Sequence, residues 1–171
     1  MSIAYLGLGS NLGDRVGYIQ QAVQFLKDAE HITVKDTSSF YETEPVGLIS
    51  EKWFVNAVVC IETSLEPEEL LIVCMDIERK LGRVRDPDSG NPAYQSRTLD
   101  VDVLFYDDLI LAADLIQVPH PKVHERAYAL VPMLELDPDF IHPILGQSVS
   151  EIHRTLIEPE EVFLYGTRRD D

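Results

Sequence analysis

Cysteine, basic residues and long apolar runs are all scarce in this chain of 171 residues, and each scarcity excludes something. There are two cysteines, Cys60 in a strand-like run and Cys74 in a helix-like run. Neither has a second cysteine or a histidine nearby at zinc-ligand spacing, so buried, reduced thiols in a cytoplasmic protein are expected. The five histidines, at 31, 120, 124, 142 and 153, show no H-E-x-x-H or related pairing. Lysine and arginine number 14 against 30 aspartates and glutamates, a net charge of −16. Such a surface repels nucleic-acid phosphate, so no nucleic-acid partner is expected. An anionic ligand would need a local basic pocket within that negative field. No apolar run approaches ~18 residues, and none of the expected elements spans a membrane. The first residues, Met1 to Leu6, lack the basic and long apolar regions of a signal peptide.

What is present fits an ordinary globular protein. Hydrophobic residues make up 45% and charged residues 26%, enough apolar content for one domain with a real core. No repeat, low-complexity stretch or linker divides the chain. A single domain over residues 1–157 is expected, with 158–171 as an acidic C-terminal tail, partly disordered.

The most informative stretch is Arg97-Thr98-Leu99-Asp100-Val101-Asp102-Val103-Leu104-Phe105-Tyr106. Its alternation predicts a half-buried strand with Leu99, Val101, Val103 and Phe105 on one face. Asp100 and Asp102 then share the other face, ~7 Å apart. Two carboxylates so close repel one another unless a hard cation lies between them. Arg83, Arg85 and Arg97 bracket the loop that feeds this strand, and guanidiniums suit bidentate capture of phosphate oxygens. Acid pair and arginine cluster together suggest a magnesium-nucleotide site.

Around it, Ile3–Gly9 reads as a strand and Asp14 as the start of a helix with Val16, Ile19, Val23 and Leu26 on its apolar stripe. Ile32–Tyr41 is a second strand, and Trp53–Glu62 a third. On the third, Val55, Ala57, Val59 and Ile61 face opposite to Phe54, Asn56, Val58 and Cys60. Pro67 opens a second helix, and Gly82 closes it. After the acidic strand, Asp107-Asp108 turns into a short return strand. Val123–Ala129 looks helical, Pro132 starts a further short turn, and Ser148-Val149-Ser150-Glu151 reads as a capping box. The order β-α-β-β-α-β, with additional C-terminal strands and helices, is that of an α+β, ferredoxin-like sandwich. Helices on one sheet face would leave Phe54, Asn56, Asp100 and Asp102 together on the other.

Two phosphate-binding motifs are absent. Gly7-Leu8-Gly9-Ser10-Asn11-Leu12-Gly13 follows a strand, but its third glycine falls one residue late for G-x-G-x-x-G. Its glycines are expected to serve a tight turn and close helix–strand packing. No Gly-x-x-x-x-Gly-Lys-Ser/Thr occurs.

The segments Tyr5–Arg15, Phe54-Val55-Asn56-Ala57, Leu81-Gly82-Arg83-Val84-Arg85, Arg97–Asp102, Val118-Pro119-His120-Pro121 and His124-Glu125-Arg126 occur in this order. As an ordered set they resemble the 6-hydroxymethyl-7,8-dihydropterin pyrophosphokinase family, over about Ile3 to Ile152. The resemblance implies a ferredoxin-like enzyme that moves the terminal diphosphate of ATP onto the pterin hydroxymethyl group, releasing AMP, in folate biosynthesis. It implies Mg2+ held by Asp100 and Asp102, with Asp100 also near the pterin hydroxyl. Arg83, Arg85, Arg97, His120 and Arg126 would contact the triphosphate, the first three with catalytic roles beside the two aspartates. Leu71, Glu78 and Val103 match positions near the nucleotide. Thr43, Pro45, Val46 and Asn56 match pterin-recognition positions, with Phe54 and Tyr128 as the stacking pair. Small-molecule substrates are the implied partners, and a monomer is the expected state.

The chain departs from the family's pattern in places. The loop Asp86 to Ser96 is longer, and it lacks a tryptophan and an interior arginine, with Tyr94 as the available ring. This loop is expected to close over the bound substrates. Glu44, Pro121 and His124 stand where proline, tyrosine and lysine occur in relatives, which makes the phosphate clamp less basic. A catalytically silent pterin- or nucleotide-binding module would have no use for the repelling pair Asp100/Asp102.

Overall fold

The computed structural model describes residues 1–44, 53–82 and 98–167. Its main sheet is antiparallel and contains β1 (Ser2–Ser10), β2 (Ile32–Thr37), β3 (Tyr41–Thr43), β4 (Phe54–Thr63), β5 (Asp100–Tyr106) and β8 (Val162–Leu164). The strand order is β5-β1-β4-β3-β8, with β2 also paired to β4. A separate ribbon joins β6 (Leu111–Ala112) to β7 (Gln117–Val118). The helices are α1 (Arg15–Asp28), α2 (Pro67–Lys80), α3 (Ala127–Leu136) and α4 (Val149–Arg154). The mixed, antiparallel α+β character expected from the sequence is therefore present.

Local chemistry explains the helix starts. Asp14 caps α1, its carboxylate accepting from the Gly17 N–H at 3.1 Å. Pro67 occupies the first turn of α2, where its missing N–H costs nothing, and Glu69 reaches back to accept from the Glu66 N–H at 2.9 Å. At the other end Gly82 takes φ +90°, a conformation that suits glycine. Ser148 caps α4 through its hydroxyl, which accepts from the Glu151 N–H.

Two hydrophobic cores sandwich the sheet. On one face Ala4, Leu6, Leu8, Val55, Ala57, Val59, Ile61, Val101 and Val103 pack against Ile19, Ala22 and Leu26 of α1 and Leu70, Cys74 and Ile77 of α2. On the other face Tyr5, Val58, Leu104 and Phe105 pack against Leu130 and Met133 of α3 and Val149 and Ile152 of α4. Only part of that second face is thus left for a site.

Three local expectations need correction. Phe105 does not share a face with Leu99, Val101 and Val103. The β1–β5 register shifts between Tyr5 and Leu6, which pair with Phe105 and Val103, so Leu104 is an extra residue in β5. A one-residue slip exchanges faces, and Phe105 goes to the second core against Tyr5 and Phe140. The single strand expected at Ile32–Tyr41 is broken into β2 and β3. Thr37 pairs with Val59 but Tyr41 with Asn56, again one residue more on one side. Ser38 fills the break, its hydroxyl accepting from the Val58 N–H at 2.9 Å. Pro132 starts no new turn but lies inside α3, which runs through it. In addition, Val162–Leu164, within the stretch set apart as a tail, pairs with β3.

Candidate active site

The uncovered part of the second sheet face is built on a row of paired residues. Asp100 pairs with Gly9, Gly9 with Asn56, and Asn56 with Tyr41. In the neighbouring row Asp102 pairs with Gly7. Cross-strand partners share a face, so the two carboxylates, the amide and the tyrosine line one surface. The glycines form its floor. A Cβ on Gly9 would stand 2.9 Å from Asn56 Oδ1 and 3.7 Å from Phe54 Cδ1. The role expected for Gly9 in helix–strand packing is therefore wrong, because its open side faces the site, away from α1 and α2.

Asn56 is buried, and its amide is held in one orientation. Its Nδ2 donates to Thr43 Oγ1 at 2.8 Å, which leaves Oδ1 toward Gly9. The strand carrying Thr43 is braced from α1, where Arg15 donates to Glu42 Oε2 at 3.1 Å and to the Trp53 carbonyl at 2.9 Å. From α3, Glu135 accepts from the Tyr41 hydroxyl at 2.7 Å and from the Ser39 N–H at 2.9 Å. Burial, followed by this bond to Glu135, pushes the Tyr41 hydroxyl up to about 12.

Across from this wall the start of α3 brings up Arg126 and Tyr128. The Arg126 guanidinium lies 3.9 Å from Asp102 Oδ2 and stacks over the Tyr128 ring at 5.5 Å. Burial holds the Tyr128 hydroxyl above its ordinary range; Arg126 opposes that effect, and Asp102 and Asp100 add to it. His120 lies beside the acidic strand, its N–H donating to the Leu104 carbonyl at 2.8 Å. Burial first, then Arg126, lowers its imidazole to about 4, with Asp100 acting the other way. Its Nδ1 accepts from the Lys122 N–H at 3.1 Å. The neutral ring must then carry its proton on Nε2, leaving a donor for an anion.

Asp100 and Asp102 are the carboxylates that could hold a divalent cation here. Among the described residues no cluster of three or more histidine, cysteine or acidic side chains is arranged for a metal. A pair is nonetheless what magnesium uses when waters and substrate phosphates complete its shell. Glu78 reaches β5 from α2, accepting from the Val101 N–H at 3.4 Å. Leu71 and Val103 pack on the helix side of the sheet. Val103 can therefore meet a ligand of the acidic face only through its backbone.

A sequence profile for 7,8-dihydro-6-hydroxymethylpterin-pyrophosphokinase (HPPK) matches residues 5–138, well over half of the chain. The chain belongs to the HPPK family. A 2-amino-4-hydroxy-6-hydroxymethyldihydropteridine pyrophosphokinase of Methylorubrum extorquens is 42% identical over 151 residues, covering 88% of this chain and 91% of the relative. One from Bacillus subtilis is 42% identical over 135 residues, 79% of this chain and 78% of that protein. The folic acid synthesis protein fol1 of Pneumocystis carinii is 36% identical over 171 residues, which are 98% of this chain but 22% of the relative. The chain thus spans about a fifth of the fungal proteins it matches. Among solved structures, Plasmodium falciparum HPPK-DHPS with pteroate superposes with a TM-score of 0.71 at 14% identity, over 90% of this chain and 44% of that one. That likeness bears on the fold.

Of the residues that the HPPK resemblance singled out, Asp100, Asp102, Asn56, Thr43, Phe54, His120, Arg126 and Tyr128 lie on the elements that frame this surface. Arg83, Arg85, Arg97, Pro45, Val46 and the loop Asp86 to Ser96 with Tyr94 lie outside the described residues. Sequence reasoning missed Gly9 as a floor and Glu160, whose carboxylate meets the Tyr128 N–H at 2.8 Å. A glycine at strand position marks close approach by another group, so Gly9 carried a signal. For Glu160 no local pattern could have shown it.

Proposed function

We propose that this HPPK-family chain transfers the terminal diphosphate of ATP to the hydroxymethyl group of 6-hydroxymethyl-7,8-dihydropterin and releases AMP, in folate biosynthesis. The observation that carries this reading is the single surface shared by Asp100, Asp102 and Asn56, with Arg126 and Tyr128 facing it. The antiparallel order β5-β1-β4-β2/β3, with α1 and α2 on one face, supports a ferredoxin-like βαββαβ arrangement extended by the C-terminal elements.

The pterin is flat and carries amide-like edges. Phe54 and Tyr128 suit its faces, and offset ring stacking contributes roughly 0.5–1.5 kcal/mol per pair beyond burial. Asn56, with Nδ2 engaged by Thr43, keeps Oδ1 as an acceptor for a ring N–H. The substrate hydroxyl oxygen attacks the β-phosphorus, the bond from that phosphorus to the α-phosphate oxygen breaks, and AMP leaves. Asp100 stands near the attacking hydroxyl. Arg126 and the Nε2–H of His120 contact phosphate oxygens, joined by Arg83, Arg85 and Arg97, while Glu78, Leu71 and the Val103 backbone border the nucleotide. Thr43, Pro45 and Val46 border the pterin. Asp100 and Asp102 would hold magnesium, which when bound offsets phosphate charge.

A single domain whose sheet takes in Val162–Leu164, beyond the boundary at 157 expected from the sequence, a monomeric state and a cytoplasmic location complete the proposal. No described helix is long and apolar enough to cross a membrane. The test is AMP formation from ATP and magnesium, with and without the pterin. AMP that appears only with the pterin supports the reading; ATP binding without AMP formation refutes it.

A further inference from the structure

The helix that presents Arg126 and Tyr128 begins without a cap of its own. Arg126 occupies the capping position, makes no side-chain cap bond, and the first turn of α3 contains no acidic residue. The leading N–H groups of a helix need acceptors, and its N-terminus favours a negative charge. The acceptor comes from a distance of 32 residues, where Glu160 Oε1 takes the Tyr128 N–H at 2.8 Å. Glu158 and Glu161 nearby are exposed, whereas Glu160 is partly buried.

The four residues that follow reach the opposite wall. In β8, Val162 pairs with Thr43, Phe163 with Glu42 and Leu164 with Tyr41. Thr43 is the residue that orients Asn56. The Phe163 ring lies 6.0 Å from that of Trp53, the neighbour of Phe54. One short segment therefore touches the supports of both walls between which the pterin is placed. It also lies beyond residue 138, where the HPPK profile ends.

We infer that Glu160–Leu164 is a positioning element that sets the gap between Tyr128 and the Phe54–Asn56 wall, with Glu160 fixing Tyr128 through its backbone. This rests on the proposed pterin site. Arg126 is engaged at once by the Tyr128 ring and by Asp102. When phosphates draw the guanidinium away, the ring loses its cationic partner, and the Glu160 bond is what keeps Tyr128 in place. The dependence on Glu160 is then greatest in the ternary complex.

The experiment compares the full chain with Glu160→Ala and Glu160→Gln. Steady-state kinetics are combined with calorimetric titration of the pterin, with and without magnesium and a non-hydrolysable ATP analogue. Glu160→Ala should raise KM for the pterin about tenfold, with kcat and KM for ATP within about twofold to threefold of wild type. The loss in pterin affinity should be larger with the analogue bound. Glu160→Gln keeps an acceptor oxygen and should restore binding to within about twofold. Pterin binding unchanged in Glu160→Ala, or equal losses for pterin and ATP, would overturn the inference. So would a glutamine variant as impaired as the alanine one. Should Glu160→Ala not fold, Phe163→Leu keeps β8 apolar and should still raise the pterin KM about threefold; a wild-type value refutes the assignment. Absence of AMP formation by the wild type strikes the proposed function itself and is read separately.

Discussion

Thr43→Val tests whether the buried amide of Asn56 works as an oriented group. The substitution keeps the β-branched shape, which suits β3, and removes one hydroxyl. That hydroxyl accepts from Asn56 Nδ2 at 2.8 Å, with Asn56 and Thr43 only 6% and 1% exposed. Water does not readily replace it there. A buried donor left without its acceptor costs about 1–3 kcal/mol. Gly9 gives the amide room to turn, which recovers part of that cost, so a loss of about 1–2 kcal/mol in urea unfolding is expected. Turning the amide also moves Oδ1 from the pterin edge. One hydrogen bond lost there corresponds to about 1.4 kcal/mol, or about a tenfold weaker pterin complex. ATP binding, on the Arg126 and His120 side, should stay within about twofold of wild type. Thr43→Ser returns the hydroxyl and should recover both stability and affinity. Calorimetry with each substrate separates the effects. A valine variant that binds the pterin normally, or one that loses ATP equally, would refute the idea that Thr43 orients the amide.

Other outcomes follow from the same surface. Gly9→Ala brings a Cβ to 2.9 Å from Asn56 Oδ1 and should weaken pterin binding by more than about tenfold, at a stability cost below about 2 kcal/mol by urea unfolding. Asp102→Asn keeps the volume but removes charge, and should lower turnover by roughly a hundredfold or more with an unchanged circular dichroism spectrum; near-normal rates at ordinary magnesium would sink the metal assignment. His120 is lowered from 6.5 to about 4, so between those values the unfolded chain binds more protons and stability rises with pH. The contribution is complete above pH 6.5 and is lost as pH falls toward 4; for a partly exposed ring it is worth about 1–2 kcal/mol, and His120→Asn should flatten that part of the pH–stability curve.

The acidic pair was legible in the sequence because strand periodicity alone assigns Asp100 and Asp102 to one face, and the pairing with Gly9 and Gly7 bears this out. The shared surface with Asn56 was legible for the same reason. Phe105 was not, since an extra residue at Leu104 leaves no mark in an alternating pattern. Ser38 and its hydroxyl divide what reads as one strand, because a side chain there substitutes for a backbone partner. Pro132 lies inside α3, where tertiary packing of Leu130 and Met133 outweighs its local preference. The Glu160 contact depends on how the chain returns after α4, which no window of local sequence contains.

The extra residue in β5 divides that strand into two halves that answer to different constraints. Residues 100–103 keep step with Gly9, Leu8, Gly7 and Leu6, while Phe105 and Tyr106 keep step with Tyr5 and Ala4. Tyr106 returns to the helix side, its hydroxyl donating to the Leu65 carbonyl, while Phe105 anchors the opposite core. The bulge thus acts as a clutch between the segment that carries the two carboxylates and the segment that fills the second core. Phe105 meets the rings of Tyr5, Phe140 and His142, so a change of volume there is felt first in the second core. Deleting Leu104 would close the bulge and leave Val103, Phe105 and Tyr106 in unbroken step with Leu6, Tyr5 and Ala4, each in the layer it already occupies. The loss would be Leu104's own packing in the second core over Gly7, whereas an insertion elsewhere in the strand would turn the residues beyond it to the wrong layer.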